Sequence, residues 1–367
     1  MGKRANGEGC IIQRKDGRWQ ASLQVDGRRK AVYGKTRQEV AQKLAELQRQ
    51  AQAHGTLPDP GRRTLDDLLD AWLQVKAPNV KPRTLADYAK TCDWYLRPPL
   101  GKLRLPRLSP DRIARLYAKW QRAGKAKTAL KCHRALSQAL ALAVRWDWLA
   151  SNPCDRVDTP RYQPQRKELW TRDELRAFLA AARDHWLYPF WAFLAYSGCR
   201  LGEALALEWS NVDLATGRIV IAKSAQRING MRVVSKPKTR AGERTITLPR
   251  EGIEALRHQA QQRLEMGASW QAGDLVFSSR KGAPLSASTV GWALTQACRT
   301  LGLPHLSPHG LRHLHASLLL AEGLPLPEAA RRLGHANPSI TASVYSHAVR
   351  DDTAAAQAIG RAIGERK

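Results

Sequence analysis

Short segments in which apolar and polar residues alternate open the chain. Asp-Gly pairs separate them, and an Asp-Gly pair between alternating segments is a strong hairpin signal, so we predict three strands over residues 10–35. Thr36, with Glu39 three residues later, is typical of a helix N-terminus and predicts a helix that runs to about Ala53. Residues 1–57 are therefore predicted to form a small sheet with one helix.

A stretch rich in Pro and Gly separates this module from a second one. Residues 58–63 are interpreted as a linker, because Pro and Gly disfavour both helix and strand. Beyond them apolar residues recur at helical spacing, and a long helix is predicted from about Thr128 to Leu149. We predict a helical domain over residues 64–160. Signals for helix starts occur at Thr64, Thr84 and Ser109.

The pattern changes again after residue 165. Thr171 and Glu174 predict a new helix start, and an apolar helix is predicted over Phe190–Tyr196. Lys238 lies between the last two of three strand-like segments, which predicts a hairpin tip that bears this lysine. Residues 166–367 are predicted to be mostly helical with a small antiparallel sheet, so the whole chain is a multidomain α+β protein. The strand-like segments are Arg218–Ala222, Met231–Ser235 and Arg244–Leu248.

The charge of the chain indicates a polyanionic partner. Sixty Lys and Arg against 32 Asp and Glu give a net charge of +28 in 367 residues. The surplus is +7 in residues 1–57, +10 in 64–165 and +10 in 166–367, so every predicted domain is basic. With 43% hydrophobic residues and 12 Trp, the chain is too apolar for a disordered basic tail. A folded protein that contacts double-stranded DNA with several modules is the favoured interpretation.

Two sets of cations are the predicted DNA contacts, with a merely solvated surface as the alternative for each. A β-ribbon can enter a major groove, and the predicted strands and turns of the first module carry Arg14, Lys15, Arg18, Arg28, Arg29 and Lys30. Near the start of the long helix of the second module lie Lys125, Lys127, Lys131 and Arg134.

The sequence disfavours several other classes of protein. The first six residues are polar and lead into no apolar stretch, and no segment approaches the length of a membrane span, so we expect neither a signal peptide nor a membrane anchor. Six scattered cysteines indicate reduced thiols in a cytoplasmic protein. His309 and His313 lack the glutamate of the metalloprotease pattern, and therefore no metal site is predicted.

Six side chains of the last domain have the chemistry of metal-free phosphoryl transfer. Two guanidiniums can bind the oxygens of a phosphodiester, a phenol can attack phosphorus, and an amine can protonate the departing oxygen. The only tyrosine after Ser197 is Tyr345. Glu203 lies one turn beyond Arg200 and is interpreted as orienting the Arg200 side chain. The six candidates are Arg200, Lys238, His309, Arg312, His335 and Tyr345. A structural role is favoured for His305, His313, His315 and His347.

The segments around these residues resemble those of the tyrosine site-specific recombinases, the phage integrase family. Each segment alone is weak evidence, but five in the family's order and spacing are specific. The resemblance covers about residues 166–355, and it extends less specifically to a core-binding domain over 64–155 and an arm-binding domain over 8–53. The five segments are Ser197–Glu203, Lys238–Leu248, His309–His313, Leu333–His335 and Tyr345–His347.

The resemblance implies a role for each candidate. Tyr345 would attack the scissile phosphate, form a 3′-phosphotyrosyl link and release a 5′-hydroxyl. The two arginines would stabilise the transition state, and Lys238 would protonate the leaving oxygen. His309 would assist proton transfer at the tyrosine, while His335 would donate a hydrogen bond to the phosphate. Neither a metal ion nor ATP would be required.

The resemblance also implies partners. The chain would act on core-type and arm-type DNA sites as a homotetramer, through a Holliday junction, to integrate or excise a phage or mobile element in the bacterial nucleoid. Accessory DNA-bending proteins are expected from the family, and a helix over 353–359 is expected to pack on a neighbouring subunit. The alternatives are a type IB-like topoisomerase and a non-catalytic architectural DNA-binding protein.

Overall fold

The computed structural model describes most of the chain. Its described residues are 9–25, 28–54, 63–163, 168–237 and 240–337. Lys238, Tyr345 and the expected helix over 353–359 lie outside them, as does His347. The internal contacts divide the chain into two units, residues 1–164 and 165–367. The predicted boundaries around the linker at 58–63 stay a prediction.

The first residues form the predicted sheet and helix. Three antiparallel strands in the order β1-β2-β3 are followed by one helix, α1. The backbone N–H of Glu39 donates to the Thr36 hydroxyl over 3.2 Å, which is the predicted N-terminal signal of this helix. A small apolar core that includes Leu23 and Val40 lies between the sheet and α1. The elements are β1 (Cys10–Gln13), β2 (Trp19–Val25), β3 (Arg28–Gly34) and α1 (Arg37–His54).

Four helices and a π-helical segment enclose a second apolar core, built around Trp72 and Leu136. Thr64 and Ser109 cap helices as predicted. The predicted start at Thr84 is wrong, because the helix begins two residues earlier at a proline, whose missing N–H suits the first helical position. The elements are α2 (Leu65–Lys76), α3 (Pro82–Thr91), the π-helical segment Cys92–Gly101, α4 (Pro110–Arg122) and α5 (Ala126–Arg145).

An ion-pair cluster joins α2 to the π-helical segment. Arg97, whose side chain is 23% exposed, lies 3.1 Å from a carboxylate oxygen of Asp66, 2.5 Å from one of Asp70 and 2.9 Å from one of Asp93. Since a guanidinium offers five N–H donors, one arginine can serve three carboxylates. Arg97 therefore holds three carboxylates together, and its single positive charge offsets one of their three negative charges.

The second unit is built around one buried helix, α7. Phe190, Trp191 and Phe193 of this helix are each at most 1% exposed and lie in the largest apolar core among the described residues. Among the described residues, no helix is long and apolar enough to cross a bilayer. The helices of this unit are α6 (Arg172–Ala181), α7 (Tyr188–Ser197), α8 (Leu201–Ala204), α9 (Arg250–Met266), α10 (Ala287–Thr300), α11 (Pro308–Ala321) and α12 (Leu326–Leu333).

The strands of the second unit pair differently from the prediction. A strand that the pattern did not predict, β5, pairs with β6 through a turn at Asn229 and Gly230, both with positive φ. Because of this Asn-Gly turn, β6 pairs with β5 and not with β7. β7 pairs with β4 instead. The predicted hairpin between β6 and β7 is therefore wrong. The strands are β4 (Arg218–Ile221), β5 (Ser224–Ile228), β6 (Met231–Ser235) and β7 (Arg244–Thr247).

Candidate active site

Arg200 lies at the start of the short helix α8, where a turn aims its side chain. Gly198, at φ 64°, ends α7 in the left-handed conformation. Glu203 then holds Arg200 twice: one carboxylate oxygen accepts the Arg200 backbone N–H over 2.9 Å, and the other accepts Nη1 over 2.7 Å. Nη2 donates to the carbonyl of Gly334 over 2.8 Å. The side chain is still 39% exposed, so it can bind a ligand.

Arg312 lies on α11 and is 2% exposed. Its Nη1 donates to the Gly198 carbonyl over 2.7 Å and its Nη2 to the Leu333 carbonyl over 2.6 Å. No carboxylate of the described residues forms an ion pair with it. Burial and the nearby charge of Arg200 lower the pKa of the Arg312 guanidinium to about 10. The fold thus holds a buried cation that an anion would stabilise.

The end of α12 brings the two arginines together. They donate to the carbonyls of two consecutive residues, Arg312 to Leu333 and Arg200 to Gly334. Gly334 ends the helix with φ 68°, and His335 follows directly. Three segments that are more than 20 residues apart in sequence therefore meet at one place, as the resemblance implied.

Three histidines border the arginines. The rings of His309 and His313 meet edge to face with centroids 4.5 Å apart. Burial, the neighbouring His313 and the two arginines lower the pKa of His309 to about 4. Burial followed by the charges of Arg312 and Arg200 lowers the pKa of His335 to about 4. Both imidazoles are therefore neutral at pH 7, so each offers one N–H donor and one acceptor.

A buried polar network that the sequence did not predict lies next to the arginine pair. Arg244 of β7 donates over 2.9 Å to the carboxylate oxygen of Glu203 that also accepts the Arg200 backbone N–H. Arg332 of α12 donates over 3.3 Å to Nε2 of His315, whose Nδ1 lies 2.8 Å from the Ala195 carbonyl. This geometry requires a neutral His315, and burial lowers its pKa to about 4. The structural role predicted for His315 agrees with these contacts.

Of the residues in this network, Arg244 could have been recognised from the sequence. Arg244 alternates with Ile246 on β7, and Ile246 is 3% exposed, so the period of two places an arginine on the buried face of a strand. A charged residue at such a position is buried only with a partner. Arg332 carries no comparable signal, because it adjoins Arg331 in a helix whose basic last turn is typical of helix ends.

The predicted DNA-binding residues are mostly exposed. Arg14, Lys15 and Arg18 are exposed in the loop between β1 and β2, Arg29 is exposed on β3, Lys30 is half-buried, and the side chain of Arg28 lies outside the described residues. Arg18 forms an ion pair with Asp16 over 2.9 Å, and Arg29 donates to Ser22. The four predicted cations of the helical domain are all exposed, and three of them share one face of α5. They are Lys125, Lys127, Lys131 and Arg134.

The described site is strongly cationic and suits an oxyanion. The carboxylate of Glu203, which is 2% exposed, forms ion pairs with Arg200 and Arg244, and the site also contains Arg312 and Arg332. Although burial opposes ionisation, hydrogen bonds from Arg244 and Arg200 hold the pKa of Glu203 below its usual value. In the part of the chain that the structure describes, no three His, Cys, Asp or Glu side chains are grouped as metal ligands. The arrangement can bind a phosphate and stabilise the charge that builds on it during attack.

Comparison with known proteins places this site in a family context. The sequence profile of the phage integrase family matches residues 168–351. An integrase of Streptomyces ambofaciens is 29% identical over 366 residues, which cover 95% of this chain and 94% of that protein.

Two solved structures share the fold. The Tn1549 transposon integrase in complex with a circular intermediate DNA is similar with a TM-score of 0.69 at 20% identity, over 80% of this chain and 98% of that one. A lambda integrase tetramer bound to a Holliday junction is similar with a TM-score of 0.62 at 19% identity, over 95% of this chain and 98% of that one. The mixed helix-and-sheet architecture predicted from the sequence is confirmed.

Proposed function

The chain belongs to the phage integrase family, and on this premise we propose that it carries out strand exchange at its arginine pair with Tyr345 as the nucleophile. It is a tyrosine recombinase, a site-specific enzyme that cleaves and rejoins DNA, and its family requires neither metal nor ATP for this chemistry. The residues that perform the steps are the subject of the proposal.

One observation carries the assignment of the phosphate site. Arg200 and Arg312 donate to consecutive backbone carbonyls, with His309 and His335 beside them. A scissile phosphate bound here would meet two planar guanidiniums, which match the non-bridging oxygens of a phosphodiester better than ammonium groups do. Attack on phosphorus places additional charge on these oxygens, so the two arginines would stabilise the transition state more than the ground state.

The two neutral histidines suit different tasks in the cleavage step. His309 is neutral at pH 7, so its ring can accept the proton that the Tyr345 phenol loses as it attacks. His335, also neutral, can donate a hydrogen bond to a phosphate oxygen. Lys238 would give its proton to the departing 5′ oxygen, and the products would be a 3′-phosphotyrosyl link and a 5′-hydroxyl. Reversal of the same step by another 5′-hydroxyl would rejoin the strands.

The exposed cations would bind DNA beyond the cleaved phosphate. Those of α5 would contact the backbone of a core-type site, and those of the first sheet would contact an arm-type site. Because the lambda integrase neighbour is a tetramer on a Holliday junction, we propose the same assembly for this chain. Integration or excision of a phage or other mobile element is the process that this chemistry would serve.

The nucleophile can be tested directly. A nicked duplex library incubated with the wild-type protein traps covalent adducts, because cleavage beside a nick releases a short strand that cannot return. The captured sequence then provides a defined substrate. We expect an adduct in the absence of divalent metal with the wild type, and none with Tyr345→Phe. Lys238→Ala should still form the adduct but slowly.

Each result has a clear meaning. An adduct with Tyr345→Phe would overturn the assignment of the nucleophile. Relaxation of a supercoiled plasmid without exchange between two sites would favour a topoisomerase, and specific binding without any adduct would favour an architectural protein. Gel filtration of the complex with two sites, scored for four protomers, tests the proposed tetramer.

A further inference from the structure

We propose that Arg244 is a positioning residue for the cleavage reaction, which orients Arg200 for phosphate binding through the carboxylate of Glu203. The inference rests on the proposed function, since it assumes that Arg200 binds the scissile phosphate. It concerns a residue outside the six catalytic candidates, and the sequence pattern marked this residue only as a strand position.

Arg244 joins three parts of the site through one planar group. Its Nη2 donates to Glu203 over 2.9 Å, its Nη1 to the Gly242 carbonyl over 3.1 Å, and its Nε to the Arg332 carbonyl over 2.7 Å. The side chain is 7% exposed. The guanidinium therefore fixes α8, the segment that follows Lys238 and the last turn of α12 relative to one another.

Glu203 transmits the effect to Arg200. The carboxylate oxygen that accepts Nη2 of Arg244 also accepts the Arg200 backbone N–H, while the other oxygen accepts Nη1 of Arg200. Without Arg244, a carboxylate that is 2% exposed would retain Arg200 as its only cation. The Arg200 guanidinium would then move to pair with both carboxylate oxygens, because that geometry is the strongest available to it. Its contact with a bound phosphate would weaken accordingly.

The backbone contacts of Arg244 reinforce this role. The Arg332 carbonyl precedes the two carbonyls that accept hydrogen bonds from Arg312 and Arg200. A methyl group added to Gly334 would lie 2.8 Å from Nη1 of Arg244, so the arginine packs directly against this turn. Lysine cannot reproduce the arrangement, since one ammonium nitrogen cannot reach a carboxylate and two carbonyls as a planar fork does.

If Arg244 served only to stabilise the fold, its loss would affect all substrates alike. A change in the charge of the substrate therefore distinguishes this structural role from a positioning role. Replacing one non-bridging oxygen of the scissile phosphate with a methyl group removes the negative charge that a guanidinium would neutralise. Loss of Arg200 should therefore slow cleavage of a methylphosphonate less than cleavage of a phosphodiester. If Arg244 acts through Arg200, its loss should show the same selectivity, whereas a general loss of folded structure would slow both substrates equally.

The experiment measures single-turnover adduct formation on nicked substrates with either a phosphodiester or each methylphosphonate diastereomer. The variants are Arg200→Ala, Arg244→Gln and Arg244→Lys, with Arg250→Gln as the control, because the Arg250 side chain is 88% exposed at the start of α9. We expect Arg244→Gln to slow phosphodiester cleavage roughly 10- to 100-fold. For one diastereomer the ratio of methylphosphonate to phosphodiester rates should rise at least about tenfold, as for Arg200→Ala. The control should match the wild type.

A double-mutant comparison provides a second measurement. In a Glu203→Gln background, Arg244→Gln should slow cleavage by a much smaller factor than in the wild type, because the residue that transmits its effect is already altered. Arg244→Lys retains the charge, so it keeps the test valid if the Gln variant does not fold, and the same change in rate ratio is expected of it.

Three results would overturn the inference. They are equal slowing of both substrates, a wild-type rate for folded Arg244→Gln, and full additivity with Glu203→Gln. If the wild type itself forms no adduct although it is folded and binds DNA, the proposed function is refuted, independently of the role of Arg244. That failure is distinguishable, because the Arg200 and Arg244 variants would then not differ from the wild type on any substrate.

Discussion

Gly334 allows a sharp test of how backbone conformation supports the site. It ends α12 with φ 68° and ψ 42°, and its carbonyl accepts a hydrogen bond from Arg200. A Cβ at this position would lie 2.8 Å from the Ala241 carbonyl oxygen. Gly302 has a similar φ of 64°, but no heavy atom lies within 4 Å of the Cβ it would gain. Gly334→Ala and Gly302→Ala therefore share the backbone strain and differ in the steric contact.

The magnitudes follow from these distances. A left-handed conformation costs an alanine about 1 to 2 kcal/mol relative to glycine, and this applies to both variants. The contact at Gly334 involves a backbone carbonyl that cannot rotate away, and overpacking of this kind adds about 1 to 3 kcal/mol. We expect Gly334→Ala to lower the free energy of unfolding by roughly 2 to 5 kcal/mol, and Gly302→Ala by about 1 to 2 kcal/mol.

Activity should separate the two variants further. Displacement of the Gly334 carbonyl by a few tenths of an ångström shifts the partner of Arg200, so Gly334→Ala should form the covalent adduct roughly tenfold more slowly than the wild type. Gly302→Ala should react at the wild-type rate below its unfolding temperature. Urea unfolding and single-turnover cleavage at 20 °C measure both effects. Equal losses of stability, together with wild-type cleavage by Gly334→Ala, would refute the reasoning.

Three further predictions concern other parts of the chain. The pKa of His315 lies near 4 in the folded protein and near its ordinary value of 6.5 when unfolded, so the unfolded state binds more protons between these values. As the pH falls from about 6.5 to 4, His315 alone should lower the free energy of unfolding by up to about 3 kcal/mol, and urea titrations of His315→Gln should show a pH dependence smaller than the wild type by that amount. Arg97→Met should destabilise the protein by about 2 kcal/mol in the same assay, against less than about 0.5 kcal/mol for Arg115→Met, whose ion pair is exposed; equal losses would contradict the role given to the three carboxylates. Removing three cations of α5 should reduce the slope of log affinity against log salt by up to roughly 2.7 in a DNA-binding titration, and an unchanged slope would exclude α5 from the interface. The cations to be replaced with alanine are Lys127, Lys131 and Arg134.

Local signals in the sequence predicted most elements of the fold. Thr64 and Thr171 form the capping boxes expected of them, and the Asp16-Gly17 pair lies in the turn between β1 and β2. These features depend on residues a few positions apart, so the printed sequence contains the information. The order of the family segments likewise indicated that Arg200 and Arg312 would meet.

The parts that failed depend on competition between distant segments. The alternation of β6 and β7 is compatible with pairing to each other, and only the Asn-Gly turn before β6 decides in favour of β5. The positioning contacts of Arg244 join residues 41 and 88 positions away, to Glu203 and Arg332 respectively, and no local pattern specifies such partners. Alternation could at most indicate that this arginine faces the interior.

The carbonyls that hold Arg200 and Arg312 have a consequence for the entropy of binding. A free arginine side chain samples many rotamers, and fixing it costs up to about 2 kcal/mol. Here the hydrogen bonds to Gly198, Leu333, Gly334 and Glu203 fix both side chains during folding. A phosphate bound by the proposed pair would therefore meet two guanidiniums whose ordering is already complete, and its binding free energy would be available for changing the geometry at phosphorus.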